Sequence, residues 1–188
     1  KAMRTEKKII LQKTKYLEKL GLKQTPMNSQ DFECGTHIMY SFPNIDAVIK
    51  FVNIMPSVVA GKTGRHNYTE WDQILNGEGA AHPLMNPYKM TANKNCRRSL
   101  TKEMLPRSLD ILNRTVMIPT NPQHNEQQIN NMITNIEIAA NYAFGKMENS
   151  NIESIKSELK NIEQIESQKY DLDADAYGIN ESSNNRIQ

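Results

Sequence analysis

Aromatic residues and cysteines are scarce in this sequence of 188 residues. Phe, Trp and Tyr together make up 6% of the chain, and the two cysteines, Cys34 and Cys96, lie far apart. Such sparse cysteine usage predicts neither a disulfide scaffold nor a metal site, and it is typical of reduced thiols in a cytoplasmic protein. The hydrophobic share of 38% is enough for one core, built from about 110 to 140 residues.

The sequence also has no long apolar run and no strong net charge. No stretch approaches the roughly 18 apolar residues that a membrane-spanning helix needs. The 23 basic and 21 acidic residues leave a net charge of +2. So small a charge predicts no general affinity for nucleic acid or for a membrane surface.

Between residues 103 and 119 the sequence instead shows a helix followed by a strand. Pro106 suits the first turn of a short helix, because its missing N–H would have no partner there. Residues 115–118 are a β-prone run, and Pro119 ends it because proline offers no donor to a strand ladder. The prediction is therefore a short helix leading directly into a short strand.

A second, longer helix is predicted from Asn125 to Gly145. Asn125 and Gln128 have the spacing of a capping box, and Gly145 is a natural helix end. The apolar residues between them recur at helical spacing, which indicates an amphipathic helix with one buried face. Those residues are Ile129, Met132, Ile133, Ile136, Ala140 and Ala143.

The sequence LPRSLDILNRTVMIP at residues 105–119 resembles the C-terminal segment of the DegT/DnrJ-type sugar aminotransferases. In those proteins a proline-containing short helix leads into an RT-x-x-x-P strand, and a closing helix opens on polar residues. A second stretch, HNYTEWDQIL at residues 66–75 followed by Ala81-His82-Pro83, resembles transaminases that install an 8-amino group on 3,8-dideoxy-manno-octulosonate. The resemblance covers roughly residues 1 to 144.

This resemblance implies an enzyme dependent on pyridoxal 5'-phosphate, whose Schiff-base lysine belongs to a larger N-terminal domain. No lysine here matches a motif for that residue, so we expect no catalytic residue in this chain and no activity from it alone. The chain would be the C-terminal portion of an enzyme of sugar and lipopolysaccharide biosynthesis. The expected partners are a keto- or aldehyde sugar or nucleotide sugar, an amino-acid donor such as glutamate, and a second copy in a homodimer.

The predicted fold class is α+β, with a small, mostly antiparallel sheet backed by helices, as in the small domain of fold-type I aminotransferases. The sequence further predicts a C-terminal helical extension and a tail without an apolar face. The predicted parts are 1–21, an interdomain-type helix; 22–145, the small domain; 146–170, the helical extension; and 171–188, a disordered tail.

Residues 35–56 predict a strand followed by a helix. The run 35–43 alternates, with Ile38, Tyr40 and Phe42 on one face. Asn44 is the predicted N-cap of the helix, which Pro56 closes. The side chains predicted to face the sheet are Ile45, Val48, Ile49, Val52 and Met55.

The segment 61–99 holds the candidate substrate contacts, and its part from about Gly79 to Ser99 has little periodicity. His66 is one, because the resemblance places a histidine of this stretch close to the substrate; the alternative is a surface histidine that caps a turn. A short helix over residues 70–75, capped by Thr69, is predicted to carry Trp71. Trp71 is suited to stacking on a sugar ring or on a neighbouring subunit, with core packing as the alternative.

Three basic residues, Lys94, Arg97 and Arg98, form a second candidate site in the same segment. Arginine is suited to bidentate binding of a carboxylate or phosphate. A solvated basic loop is the alternative. The four histidines of the chain show no metal-type pairing, so no metal is predicted.

The residues beyond Gly145 support a different hypothesis. Apolar residues spaced by three and four give a narrow seam on a charged helix from Asn151 to Ser167. This pattern favours a non-catalytic α+β interaction domain that docks on a partner through the 151–167 helix. The absence of a recognisable catalytic lysine agrees with it.

Overall fold

The computed structural model describes residues 1–29, 31–79, 82–96 and 100–147, together with Ser154 and Ser157. The chain divides into two compact units, Lys1–Lys146 and Met147–Gln188. All elements discussed below belong to the first unit. The predicted helical extension, the proposed docking helix 151–167 and the predicted tail lie outside the described residues, apart from Lys146, Met147 and the two serines.

A four-stranded antiparallel sheet with the order β1-β2-β4-β3 lies at the centre of the first unit. Its two central strands pair along their whole length, from His37 opposite Pro119 to Ser41 opposite Thr115. The predicted α+β class is therefore confirmed, and the segment that resembles the aminotransferases supplies one central strand. The strands are β1 (Lys23–Gln24), β2 (His37–Ser41), β3 (Val58–Val59) and β4 (Thr115–Pro119).

Five α-helices accompany the sheet in the described part of the chain. The longest, α5, contacts both α1 and α2. Side chains of these helices share the core with alternate residues of the central strands, including Ile38, Tyr40, Val116 and Ile118. The helices are α1 (Ala2–Thr14), α2 (Ile45–Ile54), α3 (Asp72–Leu75), α4 (Pro106–Asn113) and α5 (Glu126–Ala143).

The ends of α4 and α5 agree with the sequence prediction. Pro106 is the first residue of α4. At the start of α5 the Gln128 amide donates to the Asn125 side chain, and the Gln128 side chain accepts from the Asn125 amide, both at 2.9 Å. The predicted capping box is confirmed, and Gly145 beyond the helix has a left-handed φ of +68°.

The buried face of α2 differs from the prediction. Asn44 caps the helix as predicted, since its side chain accepts from the Ala47 amide at 2.9 Å. Ile45 and Ile49, however, are 48% and 49% exposed, so their assignment to the sheet-facing side is wrong. The Phe51 ring, edge-on to Phe42 at 5.1 Å between centroids, decides which stripe is buried. The buried residues of α2 are Ala47, Val48, Phe51 and Ile54.

The helix α1 ends at Thr14, earlier than the helix predicted over residues 1–21. After Thr14 the chain continues as a 3₁₀ helix, Lys15–Lys19, and Gly21 follows with a φ of +118°. A side chain at Gly21 would meet the Phe144 ring at 2.9 Å. Gly21 therefore serves both the helix end and the close approach of the residue that follows α5.

Thr14 and Tyr40 form a buried pair between α1 and β2. The Thr14 hydroxyl donates to the Ile10 carbonyl at 2.8 Å, and its oxygen lies 2.6 Å from the Tyr40 hydroxyl oxygen. Because the Thr14 hydrogen is already used, Tyr40 is the donor between them. Burial raises the pKa of Tyr40 to about 12.

We expect the free energy of unfolding to fall by about 2 kcal/mol between about pH 10 and 12 because of Tyr40. The ordinary tyrosine pKa is 10.0. In this window the unfolded chain loses the Tyr40 proton while the folded chain keeps it, which favours unfolding. Urea titrations across the window should give a shallower fall for Tyr40→Phe than for the wild type. Parallel curves would contradict the prediction.

Candidate functional site

The segment between β3 and β4 carries the predicted substrate contacts. It is a series of short helical turns rather than an extended loop. Before α3 it forms the 3₁₀ helices Ala60–Lys62, Gly64–His66 and Tyr68–Glu70, and after α3 it forms Pro83–Met85 and Thr91–Cys96. Buried polar side chains, rather than an apolar stripe, hold these turns in place.

Asn67 is the first of these anchors. Its side-chain amide donates to the Gly61 carbonyl at 2.9 Å, and its oxygen accepts from the Thr69 amide at 3.3 Å. Asn67 therefore caps the 3₁₀ helix Tyr68–Glu70. The predicted cap of a helix over 70–75 by Thr69 is wrong, because α3 begins only at Asp72 and has no side-chain cap. Gly61 in turn lies against α4, since an added Cβ would be 2.1 Å from Asn113 Oδ1. The turns carrying the candidate residues are thus held close to α4.

Tyr68 connects the start of the segment to the residues that follow its end. Its hydroxyl donates to the Lys102 carbonyl at 2.5 Å and accepts from the Leu105 amide at 3.2 Å. These partners are 34 and 37 positions away in sequence. One side chain therefore fixes the start of the segment beside the residues that lead into α4.

Asn86 joins two further parts of the segment through its side-chain hydrogen bonds. This buried side chain donates to the Gly77 carbonyl at 3.4 Å and accepts from the Tyr88 amide at 2.9 Å. A Cβ at Gly79 would lie 2.6 Å from Asn86 Oδ1. Gly79 is therefore needed for the chain after α3 to pass close to Asn86.

His66 and Trp71 flank the buried pair Asn67 and Tyr68. His66 ends a 3₁₀ helix and is exposed, and Trp71 directly precedes α3 with 42% of its surface exposed. The core-packing alternative for Trp71 is therefore excluded. Both side chains are presented to solvent by backbone that is fixed through its buried neighbours, which is the arrangement that a ligand contact needs.

The basic candidate site is described only in part. Lys94 is exposed on the 3₁₀ helix Thr91–Cys96. Arg97 and Arg98 lie outside the described residues, so their predicted grouping with Lys94 stays a prediction.

Arg114 is the first residue of the RT-x-x-x-P motif, and it has a structural role that the sequence analysis did not predict. Its Nε and Nη2 donate to the two carboxylate oxygens of Asp110 at 3.0 and 2.6 Å, and its Nη1 donates to the Phe42 carbonyl at 2.6 Å. The hydrogen bond with Arg114 lowers the pKa of the Asp110 carboxyl, and the same bond raises the pKa of Arg114. The side chain joins α4 to the residue after β2.

Thr115 and Thr120 complete the attachment of β4. The Thr115 hydroxyl is buried and donates to the Ile111 carbonyl at 2.7 Å. Beyond the strand, the Thr120 hydroxyl donates to the Gly35 carbonyl at 2.5 Å. The motif therefore fixes the start of the strand, and Thr120 just beyond the motif fixes its end. The four-residue spacing of Asp110 and Arg114 at the end of α4 was the signal that could have indicated the role of Arg114.

A buried carboxylate links α1 to the turn before α5. Glu6 is 3% exposed, its Oε2 accepts from the Asn121 amide at 3.0 Å, and its Oε1 lies 2.8 Å from His124 Nδ1. No sequence pattern indicated this contact, because Asn121 and His124 lie 115 and 118 positions from Glu6. The contact is one of several that fix α1 to the sheet unit.

A cleft of about 490 Å³ lies beside α1. One wall is the helix and the other is the chain that follows β1. Five basic side chains and two carboxylates line it, together with glutamines and the apolar residues Leu11 and Met27. The cleft shares no residue with the predicted substrate contacts.

In the described ranges, no three His, Cys, Asp or Glu side chains come close enough together to hold a metal ion. Cys34 and Cys96 are exposed free thiols. Among the described helices none has the length and apolar character needed to cross a membrane.

No protein-family model matches the chain, and a search of curated proteins finds no match either.

Proposed function

We propose that this chain is the C-terminal portion of a cytoplasmic, homodimeric, pyridoxal 5'-phosphate-dependent aminotransferase that acts on a keto- or aldehyde sugar. The observation that carries the proposal is the segment from Pro106 to Ala143. The sequence of this segment resembles that of the sugar aminotransferases. The segment folds as a short helix, a strand and a long helix, in the order that the resemblance implies. The small antiparallel sheet with helices agrees with the small domain of such enzymes.

The proposed cofactor would be anchored outside this chain. Among the described lysines only Lys7 is buried, and its ammonium is paired with the Glu33 carboxylate. A Schiff-base lysine must present a neutral amine to a carbonyl, so this ion pair does not fit the role. When bound, pyridoxal phosphate supplies the electron sink for amino transfer, and the protein supplies orientation.

The proposed contribution of this chain is to the sugar side of the site. Trp71 offers a partly exposed flat ring on which a sugar can stack. His66 offers ring nitrogens for a sugar hydroxyl. Lys94 with Arg97 and Arg98 would meet a carboxylate or phosphate of a sugar acid or nucleotide sugar. The amino donor, by the same resemblance, is glutamate.

The coding sequence upstream of Lys1 provides the first test. The proposal expects an open reading frame that continues into an α/β domain of roughly 250 residues carrying a lysine in a cofactor motif. A stop codon directly upstream, or an unrelated domain, would reject it.

In that longer enzyme we expect His66→Ala to lower kcat/KM for the sugar about tenfold, the effect of losing one hydrogen bond to substrate. Cofactor loading, measured by its absorbance, should be unchanged because the anchor lies elsewhere. His37→Ala is the matched control, since His37 is an exposed histidine of β2 outside the candidate segment. Unchanged turnover for His66→Ala, or equal losses for both variants, would rule out the substrate contact.

A further inference from the structure

The cleft beside α1 has one wall of cations at helical spacing. Arg4 and Lys8 are four residues apart, and Lys15 follows two turns later on the same side. Like charges four residues apart destabilise a helix, so a helix normally offsets them with acidic neighbours. The single glutamate of α1, Glu6, is instead buried against His124 and Asn121. The cationic wall is therefore not neutralised by its own helix.

The carboxylates on the opposite wall neutralise it only in part. Glu33 is paired with Lys7, so that carboxylate is already used. Asp31 also lines the cleft, and its backbone carbonyl accepts from the Arg4 guanidinium. Arginine has five N–H donors, so Arg4 keeps further donors beyond this bond. Positive charge remains in excess within the cleft.

The rest of the lining is neutral and in part apolar. Leu11 is buried at the base and Met27 is half-buried. Gln24 donates through Nε2 to the Leu11 carbonyl at 2.6 Å, which fixes its amide and leaves its oxygen as an acceptor. A volume of about 490 Å³ falls within the size of small-molecule sites.

We propose that this cleft binds a small organic phosphate that carries a flat apolar group, with its phosphates on Arg4, Lys8 and Lys15 and its apolar group on Leu11 and Met27. Arginine binds phosphate oxygens in bidentate fashion, and the lysines add point charges. The proposal does not depend on the aminotransferase assignment, because it uses none of the predicted substrate contacts.

Calorimetric titration of the full chain with ADP, without metal and at about 50 mM salt so that charges are not fully screened, tests the proposal. The variant Lys8→Gln/Lys15→Gln removes two cations that line the cleft. The matched control Lys13→Gln/Lys19→Gln removes two exposed cations from the same stretch that do not line it. We expect the cleft variant to bind ADP at least tenfold more weakly, and the control to stay within twofold of the wild type.

Adenosine, which has no phosphate, should bind at least tenfold more weakly than ADP. Amide shifts in the wild type should centre on Lys8, Gln24 and Met27, which keeps the test valid if a variant folds poorly. No binding of millimolar ADP, equal weakening in the two variants, adenosine binding as tight as that of ADP, or shifts centred elsewhere would each overturn the proposal.

Discussion

Replacing Gly35 by alanine should lower the free energy of unfolding by about 3 kcal/mol, the sum of backbone strain and overpacking. Gly35 has a φ of +74°, which L side chains rarely adopt. An added Cβ would also lie 2.8 Å from the Cα and the N of Arg4. Because these are backbone atoms of α1, they cannot rotate away, and the helix itself would have to move.

Gly64→Ala separates the two contributions. Gly64 has a comparable φ of +63°, but an added Cβ would meet nothing within 4 Å. We expect this variant to lose about 1 kcal/mol, from backbone strain alone. Urea unfolding followed by circular dichroism gives both values. Equal losses for the two variants would show that the close approach of Gly35 to α1 contributes nothing.

Gly35 matters beyond its own strain because it lies where three elements meet. It precedes β2, it contacts α1 at Arg4, and its carbonyl accepts from the Thr120 hydroxyl beyond β4. Its neighbour Glu33 lines the cleft beside α1. Gly35→Ala should therefore weaken ADP binding in the proposed cleft together with stability, whereas Gly64→Ala should leave binding unchanged.

The helix, strand and helix that end the first unit were predictable because their signals are local. Pro106 at the start of α4 and the capping box of Asn125 and Gln128 act over one helical turn. Periodicity also placed Ile133, Ile136 and Ala140 on the buried face of α5. Each of these features depends on residues within four positions of one another, which a single sequence displays directly.

The arrangement of the candidate site could not be predicted in the same way. Tyr68 reaches Leu105, and Arg114 reaches the Phe42 carbonyl across 72 positions. Asparagine and tyrosine anchors leave no periodic pattern, so the segment 61–99 was predicted to be a loop apart from the short helix over 70–75. His66 was predicted as a contact from the resemblance, and Trp71 from the capacity of its ring to stack on a sugar. Only their long-range neighbours explain why the backbone that presents them is fixed.

The helix α2 shows where even local periodicity is ambiguous. Isoleucine, valine and phenylalanine occupy positions on more than one side of it, so two overlapping apolar stripes were possible. The predicted stripe ran through Ile45, Val48 and Ile49, and the buried one runs through Val48 and Phe51, so Val48 belongs to both. Aromatic contacts made the difference, since Phe51 meets Phe42 and Phe42 stacks on Phe144 at 6.1 Å between centroids.

Phe51→Ala should therefore cost about 4 kcal/mol, the usual loss for a fully buried phenylalanine, and Ile49→Ala less than about 1 kcal/mol, as for surface changes. Phe51 is inaccessible to solvent, whereas half of Ile49 is exposed. Both variants place alanine, a strong helix former, on α2, so helix propensity does not favour one result. Urea titrations monitored by circular dichroism measure the two losses. A larger loss for Ile49→Ala would mean that the stripe through Ile45 and Ile49 faces the sheet, as the sequence pattern alone indicated.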